Sequence, residues 1–214
     1  MRKEERFRFV IGYFLENRPK ADTELVYTDP YELIVAVILS AQCTDKRVNI
    51  ITPEFFKKFP TVQSLAAAET EEVFGLIRSC SYPNNKTKSL LGMARMLVQV
   101  YHGVMPQDVD ELQKLPGVGR KTANVLAAVL FHKPALAVDT HVFRVAARIG
   151  LTTNSRNPLQ TEQQLVKHIP ENLRSIAHHW LILHGRYVCI ARKPKCVSCG
   201  LTSVCKYFAS NPTG

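Results

Sequence analysis

Apolar residues recur at helical rather than alternating spacing along nearly the whole chain. A spacing of three and four residues places such side chains on one face of an α-helix, whereas a half-buried strand alternates. Helix-capping residues precede several of these segments. Asp29 and Pro30 suit the start of one helix, and Asp139 suits the start of another that would end at Gly150. No two alternating segments are joined by a hairpin turn, so the pattern predicts an all-α fold.

Four further segments have helical patterns. They are 83–103, which we expect Gly103 to stop, 108–115, 120–131 and 157–169. The proline-containing stretch 132–137 interrupts the pattern and predicts a boundary between two helical lobes.

Charge and composition narrow the class of protein. The 214 residues are 46% hydrophobic, enough for a sizeable core. Lys and Arg outnumber Asp and Glu by 28 to 18, a formal net charge of +10. This excess favours a polyanionic partner, nucleic acid first, although a basic surface can also serve only solubility.

Targeting features are missing from the sequence. No apolar run reaches the roughly 18 residues of a membrane span, and the segment MRKEERFRFV has charges of both signs without an apolar core. We therefore expect an intracellular, cytoplasmic protein without membrane contact. In a reducing compartment its six cysteines are better interpreted as metal ligands or core residues than as disulfides.

Four cysteines share one loop-rich segment with the spacing Cys-x6-Cys-x2-Cys-x5-Cys, namely Cys189, Cys196, Cys199 and Cys205. Four such thiolates suit tetrahedral zinc or a cubane iron-sulfur cluster. Zinc sites usually pair two short Cys-x2-Cys hooks and this segment has one, so the spacing favours iron and sulfur. Cys43 and Cys80 have no partner spacing, and we expect both to be small core residues.

The segment LPGVGRKTANV, residues 115–125, lies between two short helical patterns. A tight glycine turn between helices brings backbone N–H groups and a helix N-terminus to one point, which attracts phosphate. Gly117 and Gly119 would supply positive φ and close approach. By itself, Lys121 is better explained by a phosphate contact than by chemistry.

These residues together resemble one family. LPGVGRKTANV, AVDTHVFRV, LSAQCTDKRVN and LILHGRYVCIARKPKCVSC are similar to motifs of the helix-hairpin-helix DNA glycosylases, and within them of the endonuclease III family. The similarity covers the chain nearly end to end.

The resemblance implies a two-lobed enzyme of base excision repair. It would comprise a six-helix lobe at 21–133, with the hairpin at about 109–131, and a second lobe at 1–20 plus 134–214 with the cluster loop 189–205. The family cuts oxidised pyrimidines from double-stranded DNA and cleaves abasic sites by β-elimination. Lys121 would be the nucleophile and Asp139 its essential partner, and the four cysteines would hold a [4Fe-4S] cluster.

Elementary chemistry agrees with these two roles. An amine attacks only when unprotonated, and a free lysine, with a pKa of about 10.4, is mostly charged at neutral pH. Arg120 and the positive end of the following helix would lower that pKa. Asp139 could both cap its helix and stabilise positive charge on the sugar.

Further residues are expected to contact DNA. By resemblance, Gln42 enters the space that a flipped base leaves, and Tyr82 stands where the family often has a leucine wedge. Tyr82 could equally be an ordinary half-buried aromatic. Lys46, Lys86, Lys88 and Arg144 are phosphate contacts or solvated charges. The other expected contacts are Leu115, Gly117, Gly119, Arg120 and Lys193.

Other functions stay open at this stage. A monofunctional adenine glycosylase usually lacks a lysine at position 121 and adds a C-terminal domain. A non-catalytic DNA-binding iron-sulfur module would bind without cleaving, and an unrelated zinc protein would contain no iron. We expect a monomer, associated with the nucleoid if the source is bacterial.

Overall fold

A computed structural model describes residues 1–212, and its regular structure is entirely helical. No β-strand occurs among those residues, which confirms the all-α prediction. The α-helices of residues 1–212 are α1 (Lys3–Asn17), α2 (Pro30–Ser40), α3 (Asp45–Lys58), α4 (Val62–Ala66), α5 (Thr70–Ile77), α6 (Pro83–Gln99), α7 (Val109–Lys114), α8 (Arg120–Phe131), α9 (Thr140–Ile149), α10 (Pro158–Val166), α11 (Arg174–Tyr187) and α12 (Lys206–Ser210). Short 3₁₀ turns lie at Glu171–Leu173, Cys196–Ser198 and Thr202–Val204.

Contacts divide the chain into two compact units. One comprises residues 24–131 and contains α2 to α8. The other joins residues 1–23 to the C-terminal part from residue 132 and contains α1 and α9 to α12.

Two helix starts follow from the predicted capping residues. Asp29 Oδ1 accepts a hydrogen bond of 2.8 Å from the N–H of Glu32, and Pro30 is the first residue of α2. Asp139 Oδ1 accepts one of 2.7 Å from the N–H of Val142 at the start of α9. Each bond satisfies an N–H group that has no partner within its own helix.

Helix α6 ends earlier than we predicted. Its last residue is Gln99, and a turn of residues 100–103 follows before Gly103 reverses the chain. Gly103 has a φ of 81°, and its N–H donates to the carbonyl of Leu97 at 2.8 Å. The stop is therefore a glycine-closed turn of the kind expected, but the turn begins at Val100, three residues before the glycine.

Each unit has its own core. In unit 24–131, residues 33–39 of α2 are all buried, and α2 packs against α3, α6 and α8. In the other unit, the Phe14 ring stacks on Trp180 with centroids 5.7 Å apart. Trp180 Nε1 also donates to the carbonyl of Arg18 at 2.8 Å, so the indole is buried with its polar atom satisfied.

The turn between α7 and α8 lies against α6. A Cβ atom added at Gly92 of α6 would lie 3.1 Å from Pro116. One added at Gly117 would lie 2.7 Å from the Cβ of Ser89, and Gly117 has a φ of 82°. Gly117 is thus required by both backbone conformation and space. Gly119 differs, since its φ is not positive and a Cβ there would meet nothing within 4 Å.

We predict that Gly117→Ala lowers the free energy of unfolding by about 2 kcal/mol or more. The left-handed backbone costs an alanine roughly 1–2 kcal/mol, and the overlap with Ser89 adds to it. Denaturant unfolding checks this, with Gly119→Ala as the matched control at a cost of about 1 kcal/mol or less. Equal losses in both variants would contradict the account.

Candidate functional site

The hairpin turn presents the start of α8. The N–H of Val118 donates to the carbonyl of Leu115 at 3.0 Å, and the carbonyl of Gly119 accepts the bond of 2.9 Å from Ala123 that opens the helix. The first N–H groups of an α-helix have no intrahelical acceptor, so they attract an anion. Open space around Gly119 allows a ligand to approach the backbone there.

Lys121 is the second residue of α8 and is half-buried, while Arg120 beside it is exposed. The sequence-predicted pair therefore lies at the positive end of a helix. Leu115 is only 2% exposed, so its side chain belongs to the core. Any contact of Leu115 with a ligand would come from its main chain.

Asp139 belongs to the other unit, where it is half-buried at the N-terminus of α9. One carboxylate oxygen is used in capping Val142. His178 of the same unit is buried, and its Nδ1 lies 2.9 Å from the carbonyl of Ala137.

The four sequence-predicted cysteines line one cavity. Its empty volume is about 350 Å³ including the open mouth, and its wall also includes Ile149, His184, Pro194 and Leu201. Burial, followed by the neighbouring Cys189 and Cys205, raises the pKa of the Cys196 thiol. Burial likewise raises the pKa of Cys199. A metal centre binds the thiolate form, so binding at this cavity would release protons from these thiols.

Within residues 1–212, no three His, Cys, Asp or Glu side chains converge closely enough to hold a single metal ion. The lining of the cysteine cavity offers four thiols and no carboxylate. Four cysteine thiolates are the ligands of both tetrahedral zinc and iron-sulfur clusters.

Two arginines of α9 hold the cysteine loop. Arg148 donates to the carbonyls of Ile190 at 2.9 Å and Ala191 at 2.7 Å, and its Nη1 lies 3.6 Å from Cys189 Sγ. Its guanidinium also lies over the Tyr207 ring, 4.5 Å from the centroid. Arg144 donates to the carbonyls of Gly185 at 2.8 Å and Cys189 at 3.2 Å.

Arg144 was expected to contact phosphate or water, but its guanidinium is bound to the protein's own main chain. Arg148 was missed by the sequence reasoning, although its position four residues after Arg144 places both on one face of α9. Lys193, in contrast, is exposed on the loop.

His184 is part of the wall of the same cavity. Its ring meets Phe14 edge to face, with centroids 5.6 Å apart, and its Nε2 lies 3.7 Å from Cys199 Sγ. Burial, with a smaller contribution from Arg18, lowers the pKa of His184 to about 4. The imidazole is therefore neutral at physiological pH and packs as part of the cavity wall.

The sequence is similar to that of known DNA repair proteins. Residues 35–171 match the HhH-GPD superfamily of base excision DNA repair proteins. The chain is 45% identical to endonuclease III of Rickettsia felis over 94% of each chain. It is also 45% identical to endonuclease III of Bacillus subtilis, covering 88% of this chain and 86% of that one.

Solved structures agree with the sequence relatives. A trapped covalent intermediate of an endonuclease III with DNA superposes with a TM-score of 0.93, at 43% identity and with 98% of this chain covered. A non-covalent endonuclease III–DNA complex gives a TM-score of 0.95 at 42% identity, with both chains covered completely.

The chain belongs to the endonuclease III family. The resemblance inferred from its motifs is thereby confirmed, as is the helix-hairpin-helix glycosylase fold. Within residues 1–212, none of the helices is both long and apolar enough to cross a membrane.

Two exposed loops of this endonuclease III fold carry the residues expected to enter DNA. Gln42 follows α2 and Tyr82 precedes α6, and both side chains are exposed, Tyr82 by 61%. Tyr82 is thus not the half-buried aromatic that was the alternative. Both residues have left-handed backbones, with φ of 53° and 54°.

One sequence interpretation near these loops was wrong. Lys86 is neither a phosphate contact nor a solvated charge, because it is 6% exposed and its Nζ donates to the carbonyl of Leu39 at 2.7 Å. Cys80 is a buried core residue, as predicted, whereas Cys43 is half-buried. Burial, followed by the neighbouring Cys43, raises the pKa of the Cys80 thiol to about 11.

We predict that Arg148→Ala loosens the cysteine loop. Two hydrogen bonds from a charged donor are lost, so the amides of Ile190 and Lys195 should exchange with solvent at least about tenfold faster. Hydrogen exchange followed by mass spectrometry measures this.

Arg156→Ala serves as the control, since Arg156 is an exposed arginine of the same unit. Its backbone N–H donates to Gln160 Oε1 at 2.8 Å, a bond that an alanine would keep. Unchanged exchange at Ile190 and Lys195 in Arg148→Ala would show that the arginine does not hold the loop.

Proposed function

We propose that this chain is a base excision repair DNA glycosylase with abasic-site lyase activity, acting on oxidised pyrimidines in double-stranded DNA. The observation that carries the proposal is the lysine at the start of α8, directly after a phosphate-attracting hairpin, in a chain of the endonuclease III family. A relative of the same fold has been trapped as a covalent intermediate with DNA, as an amine nucleophile requires.

In this proposal Lys121 is the nucleophile. Its unprotonated Nζ attacks C1′ of the deoxyribose, and the C1′–N bond to the base breaks as its electron pair leaves with the base. Ring opening and loss of the amine proton give a Schiff base between Lys121 and the sugar. Removal of a proton from C2′ then expels the 3′ phosphate by β-elimination, which cuts the strand.

The position of Lys121 suits this role. The exposed cation of Arg120 and the N-terminus of α8 both disfavour a second positive charge at the neighbouring amine. The same two features attract the phosphates that flank the target sugar. One arrangement therefore both binds the backbone of the substrate and favours the reactive form of the amine.

Asp139 is the proposed partner in proton transfer. Its half-buried carboxylate lies at the N-terminus of α9, where one oxygen accepts a hydrogen bond of 2.7 Å from the N–H of Val142. An ionised carboxylate stabilises the positive charge that develops on the sugar as the base leaves, and it can accept a proton in the later steps.

DNA binding precedes chemistry. The base must leave the stack, which costs a few kcal/mol, and the space it leaves must be filled. We propose that Gln42 and Tyr82 enter that space and that Gly117, Gly119 and Arg120 contact the backbone. Tyr82 offers an exposed ring that can stack on bases.

Basic side chains would add to binding. Lys193 is exposed and available to phosphate, whereas Arg144 would contribute mainly by holding the loop in shape.

A [4Fe-4S] cluster is the proposed cofactor. Cys189, Cys196, Cys199 and Cys205 share one cavity, and four thiolates are the ligand set of such a cluster. The group would supply structural stability to a loop that consists mainly of turns. Its residues would be held in place for DNA contact without taking part in bond cleavage.

One chain carries every proposed catalytic residue, so we propose that the protein acts as a monomer. An enzyme acting on chromosomal DNA works where that DNA lies, which in a bacterium is the nucleoid.

Borohydride trapping on duplex DNA containing thymine glycol tests the chemistry. Reduction of a Schiff base gives a stable protein–DNA adduct, so we expect the adduct with wild-type protein and none with Lys121→Ala. Asp139→Asn should slow base release by about 10²- to 10⁴-fold, the usual range for a lost acid-base group.

Lys57→Ala is the control for trapping, since Lys57 is an exposed lysine at the last turn of α3. Base release without any adduct would show a monofunctional glycosylase and would remove the proposed role of Lys121. Binding without base release would favour a non-catalytic module.

The cofactor proposal predicts four iron atoms per chain and visible absorbance in protein purified without oxygen. Cys196→Ser should lower both, while Cys43→Ser should leave them unchanged because Cys43 lies in the other unit. Zinc in place of iron, by elemental analysis, would contradict the assignment.

A further inference from the structure

The two loops that carry Gln42 and Tyr82 are joined to each other. Ser81 Oγ donates a hydrogen bond of 2.6 Å to the carbonyl of Gln42, although the two residues are 39 positions apart. Ser81 is half-buried and Gln42 is exposed, so the bond lies at the surface, where the two loops meet. Along the chain, the exposed Tyr82 follows Ser81 and the half-buried Cys43 follows Gln42.

The last four carbonyl groups of α2 all accept hydrogen bonds, which fixes the path of the chain into the first loop. The last four carbonyls of a helix have no partner within it. Here the carbonyl of Val37 accepts from the Ser40 hydroxyl, those of Ile38 and Ser40 accept from the N–H groups of Ala41 and Cys43, and that of Leu39 accepts from Lys86.

Lys86 links the C-terminal end of α2 to α6, the helix that follows the loop with Tyr82. It belongs to the first turn of α6, and burial lowers its pKa, while the thiols of Cys80 and Cys43 act in the opposite direction. A buried ammonium group is unfavourable unless its hydrogen bonds are made, so its bond to Leu39 is a specific tie between α6 and α2.

Both exposed residues have a backbone conformation that is unfavourable for them. Gln42 and Tyr82 lie in the left-handed region, which residues with a Cβ avoid. Such conformations persist where surrounding contacts hold them, and they occur where a side chain must be presented in one direction. Ser81 lies directly before Tyr82 and is bonded to Gln42, so a single hydrogen bond constrains both.

We propose that residues 41–44 and 79–82 form one preorganised loop pair, in which Ser81 is a positioning residue that holds Gln42 and Tyr82 for joint entry into the duplex. Lys86 fixes the base of the pair. Binding then does not carry the entropic cost of ordering two separate loops, so more of the binding free energy is available for opening the duplex. This inference rests on the proposed function, because it takes DNA as the partner of both side chains.

Opening of the duplex is measured by stopped-flow fluorescence of 2-aminopurine placed beside a thymine glycol. Ser81→Ala should slow the fluorescence rise about fivefold, the effect of one ordinary hydrogen bond. Ser81→Thr, which keeps the hydroxyl, should stay within about twofold of wild type. Ser64→Ala is the matched control, since the Ser64 hydroxyl donates to the carbonyl of Thr61 at 2.7 Å in the first turn of α4 and does not join the loops.

A mutant cycle separates positioning from general stability. If Ser81 acts by holding Gln42 and Tyr82, adding Ser81→Ala to a variant that already carries Gln42→Ala and Tyr82→Ala slows opening no further. A wild-type rate in Ser81→Ala, or a fivefold cost that persists when both side chains are removed, would overturn the loop pair.

Failure of the proposed function gives a different result. Wild-type protein that opens the duplex without releasing a base contradicts the glycosylase assignment, while the Ser81 variants still decide the loop pair. Wild-type protein that gives no fluorescence rise overturns the loop pair itself.

Discussion

Close packing of the hairpin turn against α6 is the constraint on which the proposed DNA-binding unit depends. Gly117 and Gly92 allow the turn to approach Ser89 and α6 more closely than a Cβ atom would permit. The start of α8, with Lys121, is thereby fixed to the middle of α6. Helix α6 also begins directly after Tyr82 and carries Lys86 into the end of α2. One helix thus positions both the lysine proposed as nucleophile and the residues proposed to open the duplex.

In the other unit a single helix has a comparable role. Helix α9 begins at Asp139, whose carboxylate caps it, and Arg148 on its last turn binds the cysteine loop. The proposed acid-base residue and the support of the proposed cluster are therefore opposite ends of one rigid element. A loop with mostly turn structure depends on such outside donors, because its carbonyls have few partners of their own.

Local features of this chain were predictable from its sequence, and long-range ones were not. Asp29, Asp139 and Gly150 act on residues within one turn, so their capping roles follow from spacing alone. The cysteine loop is equally local. Lys86 was assigned wrongly because its partner, Leu39, is 47 residues away, and nothing in the spacing indicates it. The same holds for Ser81 with Gln42 and for Cys80 with Cys43. Arg144 was misjudged because an exposed and a bonded arginine look alike in sequence.

Mapping the attachment site of a borohydride-trapped adduct tests the central claim most directly. Trypsin digestion of the trapped complex, followed by mass spectrometry, identifies the lysine that carries the sugar remnant. The account predicts a remnant on Lys121 and loss of trypsin cleavage after that residue, since the modified amine no longer suits the protease. A remnant on another lysine, such as Lys46 or Lys88, would contradict it.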